Sequence, residues 1–253
     1  MHITIVQNPK NGKKGRNIEM ANAKLDVRVY PIDEPKGNTK SFASVAINDT
    51  VAIRGIRVVE DNKGLFVTMP QSFDKKTEKY HDIAFPLNGD LRKEINKTVL
   101  DEHNRVSALA PEQRGYDTPE PATAEAINVE DVKLDIRVYP LEDPQGNTKA
   151  FASISVDDLV AIRGIRVVEG DEGLFVAMPQ SQDKYMNYHD VAFPLTADLR
   201  KEMSAGVLEK LSAEKAVERK PSLGEKLAEG ADKAAGHTAP ERSAAKSHAG
   251  VLG

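Results

Sequence analysis

The chain of 253 residues contains no cysteine and no tryptophan, and aromatic residues make up only 5% of it. Without cysteine there is no disulfide, no thiolate nucleophile and no Cys-ligated zinc or iron–sulfur cluster. No apolar run approaches the roughly 18 residues that a membrane-spanning helix needs. The N-terminal charges Lys10, Lys13, Lys14 and Arg16 follow a very short apolar stretch, the reverse of a secretory signal. The expected compartment is the cytoplasm. Glycine-rich phosphate loops, the HExxH pattern of metalloproteases and paired acidic metal motifs are also missing from the sequence. The expectation is a protein without catalysis, metal or cofactor.

What the chain does contain is a near-copy of itself. Residues 24–70 align without a gap to residues 133–179, and 32 of the 47 positions are identical. The ten residues VAIRGIRVVE occur at 51–60 and again at 160–169. One residue is lost from the following loop, and the match resumes through YHD at 80–82 and 188–190 and DLRKE at 90–94 and 198–202. Each copy of about 80 residues is large enough to fold by itself, which separates this pattern from a solenoid repeat. It is a tandem duplication of one small domain.

The net charge of −4 is unevenly spread. Residues 1–23 carry +3, the first copy has 13 basic and 13 acidic residues, and the second has 9 basic and 13 acidic. Bulk charge therefore argues mildly against a nucleic-acid binder, which usually shows a basic domain or stripe. A local basic patch stays open.

Alternation of Leu25, Val27 and Val29 with Asp26, Arg28 and Tyr30 predicts a half-buried strand. Residues 42–47 and 51–53 read as strands around a tight Asn48-Asp49 connection, and 56–59 with 65–69 as a hairpin closed at Gly64. A polar loop follows Pro70, then a short strand over 82–85. Asn88 is placed to cap a helix striped by Leu91, Ile95 and Val99, with Thr196, Leu199, Met203 and Val207 as counterparts. The predicted fold class is α+β: two similar small domains, each an antiparallel sheet of about five or six strands covered by a C-terminal amphipathic helix. The expected boundaries are a basic extension over 1–23, copies at 24–104 and 132–211, a linker at 105–131 rich in Pro, Ala, Glu and Thr, and a disordered tail over 212–253.

Candidate chemistry is sparse. His81-Asp82 and His189-Asp190 are the only repeated histidine–acid pairs. Neighbours on a strand point to opposite faces, so the acid cannot orient its own imidazole, and the favoured reading is a structural polar contact. Arg54 and Arg57 recur as Arg163 and Arg166. Arginine can fork onto phosphate or pair with a cross-strand acid, and residues three apart lie on opposite strand faces unless Gly55 marks a bulge. The loop after Pro70 carries Lys75, Lys76 and Lys79, a reasonable contact for a nucleic-acid backbone, but also Asp74 and Glu78. The second copy keeps only Lys184 there.

The runs IRVVEDNKGLFVTMP (56–70) and YHDIAFPLN (80–88), with a helix opening LRKEI, strongly resemble the SpoVG family of bacterial septation regulators. IRVVEGDEGLFVAMP (165–179) with YHDVAFPLT (188–196) is more similar still, and together the copies cover about 160 residues. The resemblance implies a small α+β domain that pairs with a second copy and binds DNA and RNA without catalysis. It places nucleic-acid contacts at a basic pair just after the Met-Pro of the core. Here those positions read Gln71-Ser72-Phe73 and Gln180-Ser181-Gln182, with Lys75-Lys76 displaced by a few residues.

The resulting expectation is a regulator that binds DNA or RNA through Lys75, Lys76, Lys79, Lys184, Arg54, Arg57, Arg163 and Arg166. Its rival is a protein-interaction module that kept the fold and lost the basic pair. The 27 residues over 105–131 have a flexible end-to-end distance of roughly 30 Å. They would hold the copies at an effective concentration on the order of millimolar, so an intramolecular pseudo-dimer is expected, through a surface that includes residues 42–47 and 51–59.

Overall fold

The computed structural model describes residues 23–75, 77–114, 128–144, 146–182 and 186–218. Residues 1–22, Lys76, residues 115–127 of the linker, Gln145, residues 183–185 with Lys184 among them, and the tail beyond 218 lie outside them.

The first copy runs β1 (Leu25–Pro31), β2 (Thr39–Ile47), β3 (Val51–Asp61), β4 (Gly64–Thr68), β5 (Gln71–Asp74), β6 (Lys79–Asp82), β7 (Ala84–Pro86) and helix α1 (Gly89–Ser107). The second repeats the order with β8 (Leu134–Pro140), β9 (Thr148–Val156), β10 (Val160–Gly170), β11 (Gly173–Ala177), β12 (Gln180–Gln182), β13 (Tyr188–Asp190), β14 (Ala192–Pro194) and α2 (Ala197–Glu218). The α+β class with one helix behind each sheet is the expected one.

Local chemistry accounts for the turns and caps. Asn48 and Asp49 both take positive φ (50° and 53°), the mirror-image turn whose twist suits a two-residue hairpin. Asp157 and Asp158 do the same, since short polar side chains tolerate this region. The backbone N–H of Lys24 donates to Asn48 Oδ1, and that of Lys133 to Asp157 Oδ1, each at 2.9 Å. Asn88 caps α1 by accepting from the Leu91 N–H at 2.6 Å, and Thr196 Oγ1 accepts from Leu199 N–H at 3.2 Å. The stripes Leu91, Ile95, Val99 and Leu199, Met203, Val207 are fully buried against the inward residues of the sheets, among them Val45, Ile53, Ile56, Ile154, Ile162 and Ile165. Full burial of each such side chain stabilises by roughly 1.5–3 kcal/mol.

Three expectations about elements change. Residues 51–53 and 56–59 are one strand, because Arg54 and Gly55 together oppose the single residue Ser44 in a bulge, with Gly55 at φ 74°. Residues 71–82 are a hairpin rather than a loop, β5 pairing β6 from Gln71↔Asp82 to Asp74↔Lys79. Cross-strand contact of the Phe73 and Tyr80 rings, 5.1 Å between centroids, supports it without help from the core. Helix α2 continues past Leu211, the expected end of the second copy, and Ser212 Oγ donates back to Leu208 O.

The sheets are completed reciprocally between the copies. On one side β3 meets β2 throughout. On the other, its C-terminal half pairs with β4, while Val51–Ile53 pairs with β14 of the second copy. Likewise β10 takes β11 and, over Val160–Ile162, β7 of the first copy. Flanking bonds extend each exchange: Arg54 N–H to Val191 O (2.7 Å), Leu195 N–H to Thr50 O (2.8 Å), Arg163 N–H to Ile83 O (2.7 Å) and Leu87 N–H to Leu159 O (2.8 Å). The borrowed strands cover the edges that β4 and β11 stop short of, where unpaired backbone groups would otherwise face solvent or another chain.

Candidate nucleic-acid interface

Each sheet has its helix on one face, and the opposite face carries the charged and aromatic side chains. Because Ile53, Ile56 and Val58 are all fully buried, the bulge at Arg54-Gly55 resets the alternation and turns Arg54 and Arg57 to the same outer face. The second copy does this with Ile162, Ile165 and Val167 inside and Arg163 and Arg166 outside. A regular strand would have sent one arginine of each pair inward.

Register then places the neighbours. Tyr30 opposes Phe42, and Phe42 opposes Arg57, so two rings and a guanidinium stand in one row across three strands. Tyr139, Phe151 and Arg166 form the matching row. The rings are open to solvent, Phe42 by 48%, Phe151 by 42% and Tyr139 by 54%. Arg28 pairs with Asp26 at 3.6 Å and Lys40 with Glu60 at 2.8 Å. Arg57 and Arg166 have neither ion pair nor side-chain hydrogen bond among the described residues. Arg54 lies over the Phe193 ring at 4.6 Å and Arg163 over Phe85 at 4.7 Å, so these two cations reach across to the other copy's borrowed strand.

A cleft of about 460 Å³ opens at this junction. Tyr30, Phe42, Ser44 and Arg54 of the first copy form its floor, and Ser181 and His189 of hairpin β12–β13 form a wall from the second copy. Asp190, next to His189, accepts from Gln180 Nε2 at 3.0 Å and Arg200 Nη2 at 3.1 Å, tying the hairpin to α2. Asp82 is held in the same way by Gln71 (2.9 Å) and Arg92 (3.2 Å). The acids of both His-Asp pairs thus serve structure. Among the described residues, no group of three His, Asp or Glu side chains could hold a metal ion.

The sequence-predicted residues separate into two sets. Lys75 and Lys79 sit at the turn of hairpin β5–β6, which leads through Ile83 to the backbone bond with Arg163. The base of this hairpin adjoins both copies: Ile83 O accepts from the Arg163 N–H of the second, and Pro70, just before β5, lies beside Gly55 of its own. Lys76 and Lys184 lie outside the described residues. Sequence reasoning missed Tyr30, Phe42, Tyr139 and Phe151. Their signal was present: each stands in the polar phase of an alternating strand, where a ring has no core to enter.

The SpoVG family model matches residues 23–105 and 132–213. A septation protein SpoVG of Myxococcus xanthus is 40% identical over 74 residues, 29% of this chain and 73% of the relative. The Staphylococcus aureus septation protein SpoVG is 34% identical over 88 residues, covering 35% and 86% of the two chains. That of Agathobacter rectalis is 38% identical over 80 residues, 32% and 91%. No helix among the described residues is long and apolar enough to cross a membrane. Two matched segments, each nearly the length of a whole relative and each folded as the same strand–helix unit, show that this chain belongs to the SpoVG family as a tandem duplication.

Proposed function

We propose that the protein is a non-enzymatic regulator that binds DNA or RNA, with its two copies acting together as a pseudo-dimer; the names of its relatives point to septation as the setting. The observation that carries this reading is the pair Arg57 and Arg166. Each is a cation without a carboxylate, beside solvent-exposed rings, on a face where Arg28 and Lys40 are ion-paired and Arg54 and Arg163 lie over rings. Phosphate is the ligand that such an arginine suits, because its fork donates two parallel hydrogen bonds to an anion. The net acidity of the second copy does not bear on this, since its outer face repeats the same arginines and aromatics as the first.

The alternative, a protein-interaction module, draws on the absence of an adjacent basic pair at Gln71-Ser72-Phe73 and Gln180-Ser181-Gln182. Titration of random DNA and RNA pools across a salt series separates the two. Binding whose logarithm falls steeply and linearly with the logarithm of salt supports phosphate contact. Failure to bind either pool at low salt would leave the interaction module standing.

A further inference from the structure

We infer that the cleft at the junction of the copies is a site for single-stranded nucleic acid, in which unpaired bases stack on Phe42 and Tyr30 while Arg57 meets the phosphates. This rests on the nucleic-acid reading above and narrows it to one strand state and one set of residues.

The floor of the cleft is a ring pair in cross-strand register, Tyr30 against Phe42, with Arg57 next in the row. A phenyl ring half exposed on a sheet face offers a flat π surface, and base–aromatic stacking is tolerant of sequence because every base has one. In a duplex those base faces are covered by neighbouring pairs, so only an unpaired strand can use the rings. A volume of about 460 Å³ lies within the roughly 300–1,000 Å³ typical of sites for small ligands, enough to take bases but not a double helix. Ser44, Ser181 and His189 line the same space and carry groups able to hydrogen-bond base edges.

The charge pattern selects the occupant. An apolar peptide would gain nothing from an unpaired arginine at its margin, whereas a nucleic-acid strand carries flat bases beside anions, matched by the rings of Tyr30 and Phe42 beside Arg57. The cleft also requires both copies, since its floor and wall come from different ones. Tyr139, Phe151 and Arg166 repeat the row on the other sheet.

The test is fluorescence anisotropy with a labelled 12-nucleotide mixed-sequence DNA, its RNA counterpart, and the DNA annealed to its complement, all at one salt concentration. The full-length protein is compared with Phe42→Leu/Phe151→Leu and with Phe42→Tyr/Phe151→Tyr, circular dichroism reporting the fold. Single strands should bind at least about tenfold more tightly than duplex, and the leucine variant should lose roughly five- to a hundredfold for single strands alone, as loss of a stacked base predicts. The tyrosine variant should keep parental affinity, which guards against a merely misfolded leucine variant. Equal binding of duplex and single strand, or an unaffected leucine variant, would overturn the cleft assignment while leaving nucleic-acid binding intact. Displacement of the oligonucleotide by poly-glutamate as readily as by unlabelled strand would also overturn it, marking a site for acidic peptide. No binding to any of the three probes would overturn both this inference and the reading beneath it.

Discussion

Ser41 Oγ and His103 Nδ1 share a 2.6 Å hydrogen bond between β2 and the last turns of α1, buried in the first copy. The second copy has Ala150 and Leu211 at the matching positions, both buried. The same fold therefore accepts either a polar pair or an apolar one at this point.

Burial lowers the His103 pKa below its ordinary value of 6.5, because the charged imidazolium is poorly solvated there. The folded state thus binds fewer protons than the unfolded state just below that value. Stability contributed by neutral His103 is present above pH 6.5 and is lost as pH falls beneath it. Ser41→Ala alone should destabilise by about 1–3 kcal/mol, since His103 would keep only a 3.4 Å contact with Ser107. Ser41→Ala with His103→Leu, copying the second copy, should restore stability and flatten the acid limb. Urea unfolding between pH 5 and 8 checks both, and an unchanged acid limb in the double variant would remove His103 as its source.

Reciprocal strand exchange predicts how the protein assembles. Light scattering should give a mass near 27.7 kDa, that of one chain. A single copy expressed alone would leave Val51–Ile53, or Val160–Ile162, without its borrowed partner, and should dimerise to recover it. Phe85→Leu and Phe193→Leu should each weaken the exchange by about 0.5–2 kcal/mol through loss of the cation–π contact with Arg163 or Arg54. Isolated copies that remain monomeric at high concentration would contradict the scheme.

The hairpin lysines and the face arginines can be told apart by salt. If Lys75, Lys76 and Lys79 touch phosphate, replacing all three by Ala should lower the salt slope by roughly two to three units, at about 0.9 for each contact. Lys184→Ala should matter less. Arg57→Gln with Arg166→Gln should lower the slope by roughly two under the same rule. A slope that changes only in the arginine variant would move the electrostatic contact from the hairpin to the sheet.

Gly206 and Ile136 form a size-matched pair in the second copy. A Cβ at Gly206 would lie 2.5 Å from Ile136 Cδ1. The first copy puts Thr98 and Val27 at these positions, a shorter side chain on the strand facing a larger one on the helix. Gly206→Thr should cost about 1–3 kcal/mol by overpacking, and adding Ile136→Val should recover most of it. Simple additivity in a double-mutant cycle by urea unfolding would refute the coupling.

Much of the architecture was legible because it depends on short-range chemistry. The duplication, the caps at Asn88 and Thr196, the turn at Asn48-Asp49 and the stripe through Leu91, Ile95 and Val99 each follow from residues a few positions apart. The hairpin over 71–82 was not legible, because both of its faces are solvated and it shows no apolar alternation. The aromatic face was only half legible. Phe42 and Tyr30 carry the right phase, but their meeting depends on register between β1 and β2.

By itself the sequence determined that there are two copies, what their helices bury and which arginines recur. Tertiary structure alone decided that β7 and β14 cross to the other copy, since a three-residue strand has the same local pattern whichever sheet it joins. It also decided that Arg54 and Arg57 share a face, because a bulge exists only in relation to the strand opposite, here Ser44 against two residues of β3. Local propensity acts over a few residues, whereas strand pairing sums hydrogen bonds and burial across distant segments, and in this chain that sum shapes the candidate site.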